Sequence, residues 1–231
     1  MKSNTYNRRR VFGTVTSVIL GLFFLVSVLL PLIAVMTNLK NADLNAIFSH
    51  PQTVPAIWNS IKVSVTATLF SIVLAFAAAW CVNRAGLRHT AVFDVLLVMP
   101  MLIPSISHGT GLIILFGDNG IIKNLLGLKG SIYGFWGIVF GSMMYAFPIA
   151  YLMIADILRY ENSTPYEAAE ALGIPKKNRF FAITLPYLKK PMISVIFAVF
   201  TAIVTDYGVP LMVGGMYKTL PVLMYEEAIH R

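Results

Sequence analysis

Long uncharged apolar runs constrain this chain more than any other feature of its sequence. Residues 11–36 and 63–82 contain no charged side chain. A helix rises about 1.5 Å per residue, so about 20 such residues cross the roughly 30 Å hydrocarbon core of a bilayer. Hydrophobic residues make up 57% of the 231 positions and charged residues only 12%, too few to cover a water-soluble globule. The sequence therefore predicts an integral membrane protein.

We expect an all-α polytopic fold with five transmembrane helices. The run that follows Arg8, Arg9 and Arg10 resembles a signal peptide in its charge, but it is longer than the usual h-region of about 7 to 15 residues. We therefore interpret it as a retained span, and we expect the second helix to begin near Ile57. The predicted spans are residues 11–36, 63–82, 95–116, 133–155 and 191–213.

Lysine and arginine are distributed unevenly between the predicted loops, and cytoplasmic loops of membrane proteins carry such an excess. With the N-terminus in the cytoplasm, the outer segments hold five of these residues: Lys40, Lys123, Lys129, Lys218 and Arg231. The cytoplasmic segments hold twelve: Lys2, Arg8, Arg9, Arg10, Arg84, Arg88, Arg159, Lys176, Lys177, Arg179, Lys189 and Lys190. The count predicts a cytoplasmic N-terminus, and it assigns the net charge of +8 to topology and anionic lipid rather than to nucleic acid.

Residues 158–190, which we call the coupling segment, form a polar and basic insert between two apolar runs. Thr164, Pro165 and Glu167 have the form of a capping box with Thr164 as the N-cap, which predicts a short helix. Gly173 suits the left-handed position that ends a helix, and Pro175 can open the next one. The alternative is a solvated loop whose positive charge only fixes topology.

This segment resembles the EAA loop of binding-protein-dependent ABC importer permeases of the MetI-like type I class. The residues at the family spacing are Glu167, Ala168, Ala169, Gly173, Ile183, Leu185 and Pro186. The resemblance covers residues 53–231, and residues 1–36 correspond to a cytoplasmic N-terminus and the extra first helix of many members. Members usually have one further helix after residue 231, so we expect a fragment, such as half of a fused permease, with its C-terminus outside.

The resemblance implies a transporter subunit of the bacterial inner membrane. The coupling segment would dock on a cytoplasmic ABC ATPase dimer, a second permease half would complete the pathway, and an extracytoplasmic solute-binding protein would deliver the substrate. The chain has no phosphate-binding loop of its own, so ATP hydrolysis is assigned to a separate subunit. A membrane scaffold or sensor that binds another partner through the same segment is the alternative.

Two places in the predicted spans have features that a lipid-facing helix would not tolerate: a helix broken by prolines and a charged side chain. Pro100 and Pro104 interrupt the third span, and the alternative to a polar pathway there is a packed kink with a satisfied core histidine. Asp206 would cost about 2.5 to 3.5 kcal/mol at a helix centre, so it either lines the pathway or caps a helix break. The candidate pathway residues are Ser105, Ser107, His108 and Asp206.

Residues 205–215 resemble the corresponding helix end in permeases for ferric iron and for 2-aminoethylphosphonate, which suggests those substrates.

The sequence carries only weak signals of catalysis or metal binding. His50, His89, His108 and His230 lack metal-ligand spacing, and Cys81 is the single cysteine. We therefore predict no catalytic residue, metal site or cofactor.

Overall fold

The computed structural model describes residues 2–39, 48–84 and 90–229, with side chains described at 13–37, 48–84 and 90–229. Lys40, Arg88, His89, His230 and Arg231 lie outside the described residues. The α-helices are α1 (Lys2–Leu39), α2 (Thr53–Arg84), α3 (Thr90–Val98), α4 (Ser105–Phe116), α5 (Ile121–Leu126), α6 (Phe135–Arg159), α7 (Thr164–Ala171), α8 (Lys176–Arg179), α9 (Leu185–Val204), α10 (Gly208–Val213) and α11 (Leu220–Ile229).

The regular elements of these described residues are helical, and four of the helices are long and apolar enough to cross a membrane. A bent helix pair makes a fifth candidate span. This confirms the all-α polytopic fold.

Helix α1 belongs to a compact unit of its own, Met1–His50. Its apolar part, Gly13–Thr37, leaves its side chains exposed all round. A helix that is apolar on every face needs lipid or another protein around it.

The second unit, Pro51–Arg231, is built around α2 and α6, which pack along their length with α9 against both. Small side chains on α2, including the fully buried Ala67, Ala75 and Ala79, let the helix backbones approach closely. Between helices in lipid, such close packing replaces the hydrophobic driving force of a soluble core.

The third predicted span is not one helix. The stretches Thr90–Leu102 and Ser105–Leu126 meet at an angle of 95°. Pro104 has no N–H to donate to the carbonyl of Pro100, and it forces the preceding Ile103 into extended backbone (φ −98°, ψ 132°). The interruption that Pro100 and Pro104 predict in the third span is therefore confirmed, and it separates two helices rather than bending one.

The fifth predicted span, residues 191–213, was wrong at both ends. Helix α9 begins at Leu185, continues α8 through a π-helical turn at Phe180–Thr184, and contains Pro191. It stops at Val204, and the separate helix α10 follows. Pro186 lies in the first turn of α9, where its missing N–H is tolerated.

Candidate functional site

Helix α7 begins differently from the predicted capping box. Ser163 is the N-cap, in right-handed helical conformation, and it makes no side-chain cap bond. The N–H of Thr164 instead donates to Oδ1 of Asn162 at 3.0 Å. Thr164 is already the first helical residue, so the prediction that it caps the helix was wrong.

The end of α7 follows the prediction. Gly173 has φ +68°, in the left-handed region that glycine adopts without strain. Its N–H donates to the carbonyl of Glu170, and the N–H of Ile174 donates to that of Ala169, each at 2.9 Å. These two bonds form a Schellman motif, and Pro175 then stands as the N-cap of α8. The turn at Gly173 therefore sets the angle between α7 and α8.

The seven EAA-type residues lie along α7, the Gly173 turn, the π-helical turn and the start of α9. Glu167, Ala168, Gly173, Leu185 and Pro186 are exposed, Ile183 is half-buried and Ala169 is buried. The neighbouring Leu172 is 77% exposed. The coupling segment thus presents an accessible surface that includes a large apolar side chain.

Four residues that sequence reasoning missed hold α7 in place. Arg84 at the end of α2 forms a salt bridge with the buried carboxylate of Glu161. The Tyr166 hydroxyl bonds both Glu161 and Thr184, and burial, reinforced by the bond to Glu161, raises the pKa of Tyr166. The only sequence signal was the polar character of these side chains beside apolar runs.

A second polar group ties the neighbouring helix ends together. Arg159 at the end of α6 forms an ion pair with Asp94 of α3. Its Nε also donates to Oδ1 of Asn83 on α2 at 3.1 Å. Arg159 therefore connects the end of α6 to the middle of α3 and to the end of α2.

In the bundle, the two helix breaks meet at Asp206. Ser105 Oγ donates to Asp206 Oδ1 at 2.5 Å. Oδ1 also accepts the N–H of Gly208 at 3.3 Å, and Oδ2 accepts the N–H of Val209 at 3.1 Å. The carboxylate thus caps α10 and joins it to the start of α4, and these three hydrogen bonds stabilise a charge that would be costly inside a membrane without partners.

The other candidate pathway residues lie near this junction on α4. Nε2 of the buried His108 is 3.1 Å from the carbonyl oxygen of Pro100, the acceptor that Pro104 leaves without its helical partner. Because a carbonyl only accepts, Nε2 carries the proton in this contact. Ser107 is exposed.

A cavity of about 750 Å³ lies between α2, α4 and α6. Its lining includes Leu74, Leu112, Phe140 and Phe147, and none of its lining residues is charged. It therefore offers an ionic cargo no electrostatic partner. Among the described residues, no group of three or more His, Cys, Asp or Glu is arranged to hold a metal ion.

The family profile described as "Binding-protein-dependent transport system inner membrane component" matches residues 67–228. The chain belongs to this family. The match includes the coupling segment and both helix breaks, so the resemblance inferred from the EAA-type residues is confirmed.

Two relatives show how far the similarity extends. The chain is 25% identical over 192 residues to the probable sulfate transport system permease protein cysT of Helicosporidium sp. subsp. Simulium jonesii, covering 81% of this chain and 71% of that one. It is 23% identical over 228 residues to the ferric transport system permease protein FbpB of Actinobacillus pleuropneumoniae, covering 93% of this chain and 33% of that one. The chain thus spans about a third of the length of the ferric relative.

A solved structure shares the fold. The chain superposes on a chain of a bacterial alginate ABC transporter, crystallised with an alginate pentasaccharide-bound periplasmic protein, with a TM-score of 0.75 at 15% identity. The superposition covers 96% of this chain and 85% of that chain. The overall fold of this chain is therefore that of a chain in a solved ABC transporter.

Proposed function

We propose that this chain is the permease subunit of an ATP-driven, binding-protein-dependent importer, in which the coupling segment docks on a separate cytoplasmic ATPase. The observation that carries the proposal is the exposed helix α7, ended by Gly173 at φ +68°, within the segment that the family profile matches. An exposed α7, held at a fixed angle to the next helices of the chain, suits a helix that a cytoplasmic partner contacts and displaces.

The proposed partners follow from this role. Two ATPase subunits would close on ATP and displace α7, a second permease half would complete the pathway, and a solute-binding protein would deliver cargo on the opposite side. The periplasmic protein named with the alginate transporter supports the last of these by analogy.

Co-purification tests the proposal. The tagged chain, extracted from its host membrane in mild detergent, should retain an ATPase subunit, and the purified complex should hydrolyse ATP. Leu172→Arg should lose that subunit, because it places a charge on an apolar side chain that is 77% exposed. Met216→Arg, at a 98% exposed position far from the coupling segment in sequence, is the matched control and should retain it. Equal retention by both variants would contradict the proposed docking surface.

The orientation is proposed from the charge count, with the N-terminus in the cytoplasm. A reporter that is active only in the cytoplasm should be active when fused after Lys177 and silent when fused after Asn124. The reverse pattern would put the coupling segment on the wrong side of the membrane for any ATPase.

We propose that Ser105, Ser107, His108 and Asp206 lie on the cargo pathway and that the cargo is ferric iron or a phosphonate. The ferric relative supports the first choice. The sulfate relative, whose cargo has the opposite charge, shows that permease similarity alone selects weakly between substrates. Titrating the partner binding protein with ferric citrate, 2-aminoethylphosphonate and sulfate tests the choice, and preference for sulfate would overturn it.

A further inference from the structure

Tyr166 stands at the meeting point of α7, α2 and the π-helical turn before α9. Its hydroxyl donates its one proton to Glu161 Oε1, so the Thr184 hydroxyl donates to the Tyr166 oxygen. Thr184 is fully buried and ends the π-helical turn. The hydroxyl therefore joins the loop after α6 to the start of the last long helix.

The ring of Tyr166 makes a second attachment. The Arg84 guanidinium carbon lies 4.8 Å from the ring centroid, within the range of a cation–π contact. The same guanidinium forms the salt bridge with Glu161 and lies 5.7 Å from the ring centroid of Trp80. Arg84 thus fixes both the ring and the carboxylate that accepts the hydroxyl proton.

Aromatic contacts next to Tyr166 join α2 to the π-helical turn. The Trp80 and Phe180 rings meet edge to face, with their centroids 5.2 Å apart. Phe180 also lies 6.3 Å from the Phe76 ring, one turn earlier on α2. The Tyr166 side chain therefore attaches α7 to an aromatic joint between two transmembrane helices.

Another polar contact of α7 reaches only its neighbour along the chain. Glu170 near its end pairs with Arg179 at 3.1 Å, and Arg179 lies on α8, the next helix along the chain. Glu170 is mostly exposed, so solvent screens this pair. It stabilises the local turn but does not reach α2.

We propose that Tyr166 is a positioning residue that fixes α7 rigidly to α2 and to the start of α9, so that a displacement of α7 moves both transmembrane helices. The inference rests on the proposed function, because it takes α7 to be the helix that the ATPase displaces. It adds the contacts that would transmit this displacement. The Tyr166 hydroxyl would transmit it to Thr184 and α9, and the Tyr166 ring would transmit it to Arg84 and α2.

Spin-label distances test this rigidity. Cys81 on α2 is exposed and is the only cysteine of the chain, so one label goes there and the second on Ala171→Cys at the exposed end of α7. The distance is measured in the complex with its ATPase, without nucleotide and after trapping with ATP and vanadate. We expect one narrow distance that is the same in both states, because α7 and α2 move together.

Tyr166→Phe keeps the ring and removes the hydroxyl. We expect it to broaden the distance without nucleotide and to shift it on trapping, while the ATPase subunit stays bound. Thr184→Val removes only the bond between Thr184 and Tyr166, so adding it to Tyr166→Phe should change the distance little more than Tyr166→Phe alone does. Tyr160→Phe is the matched control, since Tyr160 is 84% exposed, and it should behave as the unsubstituted protein does.

The result that overturns the inference is a distance in Tyr166→Phe as narrow as in the control and unchanged by trapping. Failure of the proposed function gives a different result. In that case the labelled chain would retain no ATPase, and the inference would fall with it.

Discussion

Two helix ends, one at Gly173 in the coupling segment and one at Gly208 in the membrane bundle, both depend on glycine but for opposite reasons. Gly173 has φ +68°, and a Cβ added there would meet nothing within 4 Å. Gly208 has ordinary backbone, but a Cβ would lie 2.4 Å from Ser105 Oγ and 2.7 Å from the Ile106 nitrogen. The first glycine is required by conformation and the second by packing.

This difference separates the two proposed tasks of the protein. The turn at Gly173 is closed by hydrogen bonds from Gly173 to Glu170 and from Ile174 to Ala169, so it keeps its shape while the segment presents an exposed surface. The junction at Gly208 joins residues 101 positions apart, through the bond from Ser105 to Asp206. Damage to the first should uncouple an intact bundle, whereas damage to the second should loosen the bundle itself.

The largest expected effect is that of Gly173→Val. A β-branched residue in the left-handed region costs at least about 1 to 2 kcal/mol, so the turn between α7 and α8 should change shape. The chain should still insert in the membrane, but it should lose the ATPase subunit or show no stimulation of ATP hydrolysis by the loaded binding protein. The measurement is co-purification together with the stimulated ATPase rate in vesicles.

Two further substitutions calibrate that result. Gly173→Asn should retain most of the stimulation, because asparagine tolerates the left-handed region. Glu167→Ala should have a mild effect, since Glu167 is exposed and the capping box is absent. Full stimulation in Gly173→Val would show that this turn does not transmit ATP hydrolysis.

Gly208→Ala should come next, and its effect should be on the bundle. The added methyl group must push α10 away from α4, which costs about 1 to 3 kcal/mol. We expect a lower melting temperature of the detergent-solubilised protein. Gly111→Ala is the control, because Gly111 also lies in this region on α4 but its Cβ would meet nothing within 4 Å. Equal melting temperatures for the two variants would contradict a close contact between α10 and α4 at Gly208.

Asp206→Asn sharpens the comparison within the junction. An amide cannot accept all three bonds that the carboxylate accepts, and a hydrogen bond to a charged group contributes about 1.5 to 3 kcal/mol. If Asp206 also lies on the pathway, uptake of radioactive ferric iron or 2-aminoethylphosphonate should fall while assembly and basal ATP hydrolysis stay near normal. Asp206→Ser, which retains a capping oxygen without the charge, should show the same loss; normal uptake in both variants would leave the carboxylate its capping role alone.

The smallest effect concerns pH at the coupling segment. Burial, and then the bond to Glu161, raise the pKa of Tyr166 above its ordinary value of about 10. The folded state therefore holds this proton more tightly than the unfolded state, so the contribution to stability is complete below pH about 10 and is lost as the pH rises through the raised pKa. The phenolate absorbance difference between the unsubstituted protein and Tyr166→Phe should appear only above pH about 10. A difference at lower pH would contradict the hydrogen-bonded, partly buried hydroxyl.

The same contrast explains what could be predicted from the sequence. Gly173 and Pro175 signal a turn through backbone conformation alone, and that information is local to the segment. The helix break at Pro104 could be predicted, because a proline cannot donate a backbone hydrogen bond. The 95° angle between the two helices could not be predicted. The contacts of Arg84 with Glu161 and of Ser105 with Asp206 join distant positions, and no periodicity or capping rule indicates which distant polar groups will meet.

Cross-linking tests the central claim, that the coupling segment docks on the ATPase, most directly. In a Cys81→Ser background, Leu172→Cys and Met216→Cys place single thiols at positions that are 77% and 98% exposed. With a short bis-maleimide and an ATPase subunit that carries one cysteine on the surface proposed to receive α7, Leu172→Cys should give a permease–ATPase band and Met216→Cys should give none. A permease–ATPase band from Met216→Cys would contradict the account. So would the lack of that band in Leu172→Cys when the complex still contains the ATPase.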